Sequence, residues 1–292
     1  MFKRISCLAL CLILFSGICA QQVVAAGNEI DNSAATNPTT AGVQNAKPVG
    51  PAFYVDGTWV EHGSLTFRNG LAYVSLRYAT AAIRPDATFT WTGDYAQIDT
   101  EDLSFVVDPD LNYVVANDRY LYLPEGVCFE RGLIRISVRM LAKVFNASYS
   151  LDPVTNDIHF TTGSGSIVPG SEFYNKDDLY WLSHIINAES GNQPLKGKIA
   201  VGNVILNRAA DPSPTFPDSI YGVIHQKSQF TPVKNGTIHL TPNEESVIAA
   251  KLCLDGAVVL PTALWFNSAR SNSWAAKHKT YVATIGGHAF YA

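Results

Sequence analysis

Among the acidic residues of the C-terminal part of the chain, Glu189 has the placement that proton-transfer chemistry requires. The run from Asn175 to Gly191 reads as a helix, with Asn175 or Asp177 as its cap and Asp177 and Asp178 suited to its first turn. Leu182, Ile185, Ile186 and Glu189 fall at i, i+3, i+4 and i+7, so Glu189 lies on an otherwise apolar stripe. Gly191 and Pro194 end the helix just beyond it. A carboxylate on such a stripe is costly unless it is paired or protonated. Partial desolvation raises its pKa, as a general acid working near neutral pH needs. The alternative is a carboxylate at a frayed helix end that simply reaches water. The other acids of this region sit at helix starts (Asp177, Asp178, Glu244, Glu245), in turns (Asp211, Asp218) or at a helix end (Asp255). Thr241-Pro242-Asn243-Glu244 reads as a capping box, with Thr241 as N-cap and Pro242 at the first helical position.

Residues able to hold a ligand surround this glutamate in sequence. A helix over Leu195–Ala210 is apolar almost all round, and its Ala200 and Gly202 permit close approach by a neighbour. Asn203 and Asn207 share one face of it, placed either to bond nearby loops or to line a groove. The turn-rich stretch from 211 to 240 carries Tyr221, Gln229 and Phe230, types that stack on sugar rings and bond hydroxyls, though it also suits an ordinary packed connection. Residues 263–267, which include Trp265, read as a strand, and Tyr281–Thr284 and Ala289–Tyr291 read as strands joined by a turn at 285–288.

Other chemistries fit less well. Five C-terminal histidines (His184, His225, His239, His278, His288) would serve a zinc amidase or peptidase, but no HExxH or comparable spacing occurs. No metal and no cofactor is expected. A cysteine peptidase built on Cys253 is disfavoured, because a thiolate near a helix C-terminus is destabilised.

The elements that position these residues belong to a chain of 292 residues, 47% hydrophobic and 16% charged, enough for one or two folded units and too apolar for global disorder. The net charge of −4 excludes a dedicated nucleic-acid binder. Lys3 and Arg4, the apolar run Ile5–Ile18 and the small residues to Ala26 have the layout of a secretory signal over 1–26, cleaved after Ala26 or Ala20. The run is too short to span a bilayer, so no membrane insertion is expected after cleavage. Export would leave Cys128 and Cys253, free to pair in an oxidising compartment or to stay as buried thiols. Residues 27–50 are small, polar and proline-containing, a flexible linker, and a Gly/Ser-rich stretch gives a second linker over 164–172. Two domains follow, 51–163 with a net −6 and 173–292 with a net +2.

The first domain is duplicated. Phe67-Arg68-Asn69-Gly70-Leu71 to Ser75-Leu76-Arg77 recurs 62 positions later as Phe129-Glu130-Arg131-Gly132-Leu133 to Ser137-Val138-Arg139. Each copy reads as a turn, a strand, a helix (77–83; 139–145) and another strand (88–91; 147–151), two copies sharing one α+β core. The pattern resembles the repeat domain named after the N-terminal region of copper amine oxidases, over about 57–160. Only His62 and His159 occur there, so no copper site is expected, and the domain reads as a binding or spacer module.

Ala188-Glu189-Ser190-Gly191, Ala200-Val201-Gly202-Asn203-Val204-Ile205-Leu206-Asn207-Arg208, Tyr221-Gly222-Val223-Ile224, Gln229-Phe230-Thr231-Pro232 and Gly287-His288-Ala289-Phe290-Tyr291 together resemble the cell wall hydrolase family of the spore-cortex-lytic enzymes SleB and CwlJ, over about 179–291. The resemblance implies a mainly helical, lysozyme-like catalytic domain with a short β-hairpin, behind a small duplicated α+β domain. It implies an exported enzyme of the cell envelope that cleaves peptidoglycan glycan strands between N-acetylmuramic acid and N-acetylglucosamine, with the family's glutamate at Glu189. Its SleB branch implies lytic transglycosylase chemistry, which needs one carboxylate where ordinary glycoside hydrolysis uses two. Asn207, Tyr221, Gln229, Phe230, Trp265 and His288 are then expected to shape the glycan groove. A hydrolytic muramidase, or a wall-binding protein without turnover, is the competing expectation.

Overall fold

The computed structural model describes residues 50–130 and 132–292. The secretory signal and nearly all of the first linker lie outside the described residues. The described residues form one compact unit, mixed α and β, with a β-rich N-terminal half and a mainly helical C-terminal half.

Hairpins built on Gly and Asn turns organise the N-terminal half. The strands are β1 (Phe53–Val55), β2 (Thr58–Trp59), β3 (Thr66–Arg68) and β4 (Leu71–Ser75), followed by helix α1 (Leu76–Ile83). A meander follows, β5 (Thr88–Trp91), β6 (Ala96–Asp99), β7 (Ser104–Val107), β8 (Tyr113–Ala116) and β9 (Arg119–Tyr122), forming a five-stranded sheet in that order. The second copy supplies β10 (Cys128–Glu130), β11 (Leu133–Ser137), α2 (Val138–Val144) and β12 (Ser148–Leu151), and β13 (Ile158–Thr161) pairs parallel with β1.

The duplication has a structural signature. β4 and β11, equivalent strands of the two copies, pair antiparallel with Val74 opposite Ile136, flanked by Tyr73 opposite Ser137 and Ser75 opposite Arg135. Val74 and Ile136 are also equivalent positions, so the pairing is symmetric about them and the two copies meet across a local two-fold. Asn69 and Gly70 both take left-handed backbone (φ 50° and 76°), the hairpin turn that Asn-Gly favours, and Gly132 repeats it at φ 76°.

In the C-terminal half, α3 (Gly170–Phe173) leads into α4 (Lys176–Ser190), α5 (Leu195–Ala209), α6 (Ile220–His225), α7 (Thr231–Asn235) and α8 (Glu244–Leu254). Strand β14 (Trp265–Ser268), helix α9 (Trp274–His278) and the hairpin β15 (Tyr281–Ile285) and β16 (His288–Tyr291) complete it, with β16 central in a three-stranded sheet. α4, α5 and α8 share one core containing Leu182, Ile186, Val201, Ile205, Ala250 and Cys253. Gly202 makes their contact possible: a Cβ there would stand 2.6 Å from Cys253 Sγ and 3.0 Å from Ile186 Cδ1. Gly202→Ala is expected to lower stability by about 1–3 kcal/mol through overpacking, read as a lower midpoint in urea unfolding. Cys128 and Cys253 are both free thiols. Among the described residues no helix is long and apolar enough to cross a membrane.

The linker over 164–172 is held in place: Ile167 donates from its amide to the Val144 carbonyl, Gly170 to that of Asn117, and Ile167 is buried. One expectation is corrected. The cap of α8 is Asn243, whose side chain accepts from the Ser246 amide at 2.8 Å, so Thr241 and Pro242 lie outside the helix. Asn243 also donates its side-chain amide to the Gly191 carbonyl at 3.0 Å, and that tertiary contact favours it over the hydroxyl of Thr241.

The two halves are locked together. Tyr113, Tyr120 and Tyr122 of the β8–β9 hairpin pack against the C-terminal core, while Val114, Ala116 and Leu121 on its other face fill the N-terminal core. At the boundary Asp255, directly after α8, is buried. It accepts from Arg119 (2.5 and 3.2 Å) and from the Tyr174 hydroxyl (2.6 Å), with Lys143 Nζ at 3.3 Å. Arg119 also lies 3.4 Å over the ring of Phe173, and Lys251 pairs with Asp118 at 2.8 Å.

Candidate active site

Glu189 occupies the last turn of α4. That helix starts where Asn175 accepts from the amides of Asp177 and Asp178, and it is committed to the core by Leu182, Ile185 and Ile186. The final turn is held from two sides. Asn187 Oδ1 accepts from the Asn243 amide (3.1 Å) and faces Ser246 Oγ (3.4 Å), fastening α4 to the start of α8. Ser190 turns its hydroxyl back to the Ile186 carbonyl at 2.7 Å.

The loop after Glu189 is equally constrained. Gln193 accepts from the Gly287 amide at 2.7 Å, which ties it to the turn of the β15–β16 hairpin beside His288. Its carbonyl accepts from the buried Lys198 ammonium at 2.6 Å, and Lys198 also pairs with Glu245. Glu245→Gln would leave that buried ammonium with neutral acceptors and no counter-charge. It is expected to cost about 1–3 kcal/mol and to lower turnover by loosening the segment beside Glu189, measured by thermal unfolding and by kcat together.

No hydrogen bond or ion pair of the Glu189 carboxyl is formed among the described residues. Burial pushes its pKa up, and the unpaired carbonyls at the C-terminal end of α4 disfavour a negative charge there as well. The result is a partly buried carboxyl on a rigid turn, predisposed to carry a proton. The remaining acids of this half are differently placed. Asp177 and Asp178 sit in the first turn of α4, Asp211 accepts from the Ser213 amide, Glu245 is paired, and Asp255 belongs to the boundary cluster.

The expected groove residues divide into two groups. Tyr221 is 53% exposed, stacks on His225 at 4.0 Å and meets the edge of Trp181 at 5.3 Å. Around the hairpin, Phe266 faces His288 at 5.4 Å, and Trp265 carries Lys279 Nζ 3.8 Å over its ring. Burial pushes the His288 pKa down, leaving the ring neutral at neutral pH, and its Nδ1 is buried without a hydrogen-bond partner among the described residues. Gln229 is exposed, and its side-chain oxygen accepts from Arg208 at 3.2 Å.

Two expected groove residues are turned to structural work. Phe230 is buried in the helical core, beneath the Arg208 guanidinium at 5.4 Å. Asn207 donates its amide to the carbonyls of Leu260 and Ala263, both at 2.9 Å, and Asn203 bonds Ala257, Val259 and Leu260 nearby. The irregular segment 257–263 has backbone groups that need partners, and the two asparagines supply them.

Spacing alone does not mark Arg208 as part of the site. It is buried and forms no ion pair among the described residues, donates to the Leu264 carbonyl at 2.6 Å, and burial lowers its pKa to about 10. It joins α5, Gln229 and the entry to β14. Three of the histidines are likewise local: the Nδ1 atoms of His184, His225 and His278 lie 2.7, 2.9 and 2.8 Å from the carbonyl four residues earlier. Among the described residues no three His, Cys, Asp or Glu side chains gather as a metal ion would require.

Residues 192–291 match the family described as Cell Wall Hydrolase. Glu189 stands three positions before the matched span. The spore cortex-lytic enzyme of Bacillus cereus is 34% identical over 127 residues, covering 43% of this chain and 48% of that protein. That of Bacillus subtilis is 32% identical over 124 residues, 42% of this chain and 39% of that protein. The chain thus spans about half or less of the length of the curated relatives it matches. Among solved structures, the catalytic domain of the germination-specific lytic transglycosylase SleB from Bacillus anthracis is 32% identical, with 43% of this chain and all of that chain covered and a TM-score of 0.38.

Proposed function

We propose, from the cell wall hydrolase domain that the chain carries at residues 192–291, that the protein cleaves peptidoglycan glycan strands as a lytic transglycosylase acting through Glu189. The observation that carries this reading is the partly buried Glu189 carboxyl, pushed toward its protonated form and unpaired among the described residues. The relatives' names, spore cortex-lytic enzyme and lytic transglycosylase, support the same substrate class and reaction. Such a substrate places the enzyme outside the cytoplasm, in keeping with the secretory layout of residues 1–26.

Glu189 gives its proton to the oxygen linking N-acetylmuramic acid to N-acetylglucosamine, and the C1–O bond breaks with charge developing at C1 of the muramic residue. The carboxylate then takes the proton of the C6 hydroxyl, O6 bonds to C1, and a 1,6-anhydro ring closes. Glu189 ends protonated and no water is consumed. One carboxyl suffices for both steps, consistent with a C-terminal half whose other acids cap, pair or sit in turns. Neutral His288 and the exposed faces of Tyr221 and Gln229 are the groups we assign to sugar contacts, and Trp265 completes them. The N-terminal half we read as a repeat domain of the copper amine oxidase N-terminal type, serving as a wall-binding module. Incubating purified sacculi with the wild-type protein and with Glu189→Gln, then counting released muropeptides, tests the activity: release by the wild type alone is expected, and equal release, or none from either, would refute it.

A further inference from the structure

A cavity of about 490 Å³ lies in the N-terminal half and the segment that leaves it, away from every residue of the proposed active site. Ala142 and Ile167 contribute apolar surface, Arg119, Arg139 and Lys143 supply cations, Tyr149 adds an exposed ring, and among the described residues no acid lines it. This is unusual for its setting, because residues 51–163 hold 8 basic and 14 acidic residues. Three of those eight cations converge on one cavity.

They are not fully compensated. Asp255 faces both Arg119 and Lys143, so one carboxylate meets two positive charges. Arg139 has its side chain 57% exposed, and the Glu125 carboxylate approaches it no closer than 4.0 Å. Arg139 and Lys143 stand four apart on α2, presenting both charges at the same mouth. A guanidinium fork recognises a carboxylate in two-point fashion, and an exposed tyrosine face beside it stacks on a sugar ring. The volume falls within the range of small-ligand clefts.

We infer that this cavity is a second glycan site, binding a carboxylate-bearing saccharide through Arg139 and Lys143 with the sugar against Tyr149. The site deepens the activity proposed above, since peptidoglycan combines saccharide rings with free carboxylates. Because the N-terminal half is locked to the C-terminal half through Asp255, a strand held here is held at a fixed offset from Glu189. The repeat domain thereby acts as a rigid second hand on the wall.

Cosedimentation with intact sacculi tests this, using the full mature chain with Glu189→Gln so that the wall is not consumed. Three sacculus preparations are compared: native, with carboxyls amidated, and stripped of phosphate polymers by hydrofluoric acid. Arg139→Glu is expected to raise the apparent Kd for native sacculi about tenfold, and Tyr149→Ala severalfold, with unchanged thermal midpoints. Amidation is expected to reproduce the Arg139→Glu loss, and stripping to leave binding intact. An unchanged Kd in both variants, or binding that survives amidation, overturns the site. Loss on stripping alone overturns it in favour of a phosphate polymer. Turnover of short soluble glycans with Glu189 intact separates the two readings: Arg139→Glu leaves it unchanged, and a protein that binds through Arg139 without any turnover keeps this site while losing the activity.

Discussion

Glu189→Gln is expected to lower kcat on sacculi by about 10²–10⁴-fold, the usual contribution of a positioned general acid–base group. Gln is nearly isosteric and cannot carry the proton, so binding to sacculi should persist. The same substitution separates chemistry from folding. Burial raises the Glu189 pKa in the folded protein, so the folded state holds the proton to higher pH than the unfolded chain does. Stability from that group is complete below the unfolded carboxyl range and is lost as pH rises through the folded pKa. At pH 7, where the carboxyl of the unfolded chain is ionised, burying this group therefore costs stability, and Gln removes that cost. The variant should melt above the wild type at pH 7 and level with it near pH 3. A variant that is inactive because it is damaged would melt lower at both. In the wild type, kcat/KM should fall on the alkaline side as Glu189 loses the proton it must donate.

Asp255→Ala is expected to cost about 3–5 kcal/mol, the penalty for stranding a buried charge by removing its partner. The Arg119 side chain is 10% exposed and that of Asp255 1%, so water cannot replace the lost carboxylate. The loss should be concentrated at the boundary of the two halves, because Tyr174 and Lys143 lose an acceptor in the same stroke. Hydrogen exchange of the Tyr120 amide, which bonds the Tyr174 hydroxyl at 3.0 Å, reports that loosening directly. A double-mutant cycle with Arg119→Met should show strong coupling, since the second change removes the stranded cation. Exchange unaltered at Tyr120 would mean that the halves are held by the tyrosine packing alone.

The helices and hairpins were legible because their signals are local. The apolar stripe ending in Glu189 is a 3.6-residue period, Asn69-Gly70 is a hairpin turn, and the 62-residue repeat reappears as the symmetric pairing of β4 with β11. What was not legible depends on partners far along the chain. Asp255 reads as an ordinary helix-end acid, and Arg119, 136 residues earlier, carries no mark of meeting it. Residues 164–172 have the composition of a tether, yet the carbonyls of Val144 and Asn117 fix them. Phe230 and Asn207 share their types with groove residues, and only the core and the 257–263 segment reveal their actual use. One signal of the boundary is local all the same: β8 and β9 combine tyrosines with Val, Ala and Leu, a strand pair apolar on both faces, which must be covered on both.

The central claim, that one partly buried carboxyl performs both proton transfers without water, is tested most directly by digesting sacculi in H₂¹⁸O and weighing the new muramic ends. The account predicts 1,6-anhydro ends that carry no ¹⁸O and that disappear with Glu189→Gln. Reducing ends bearing ¹⁸O would contradict it.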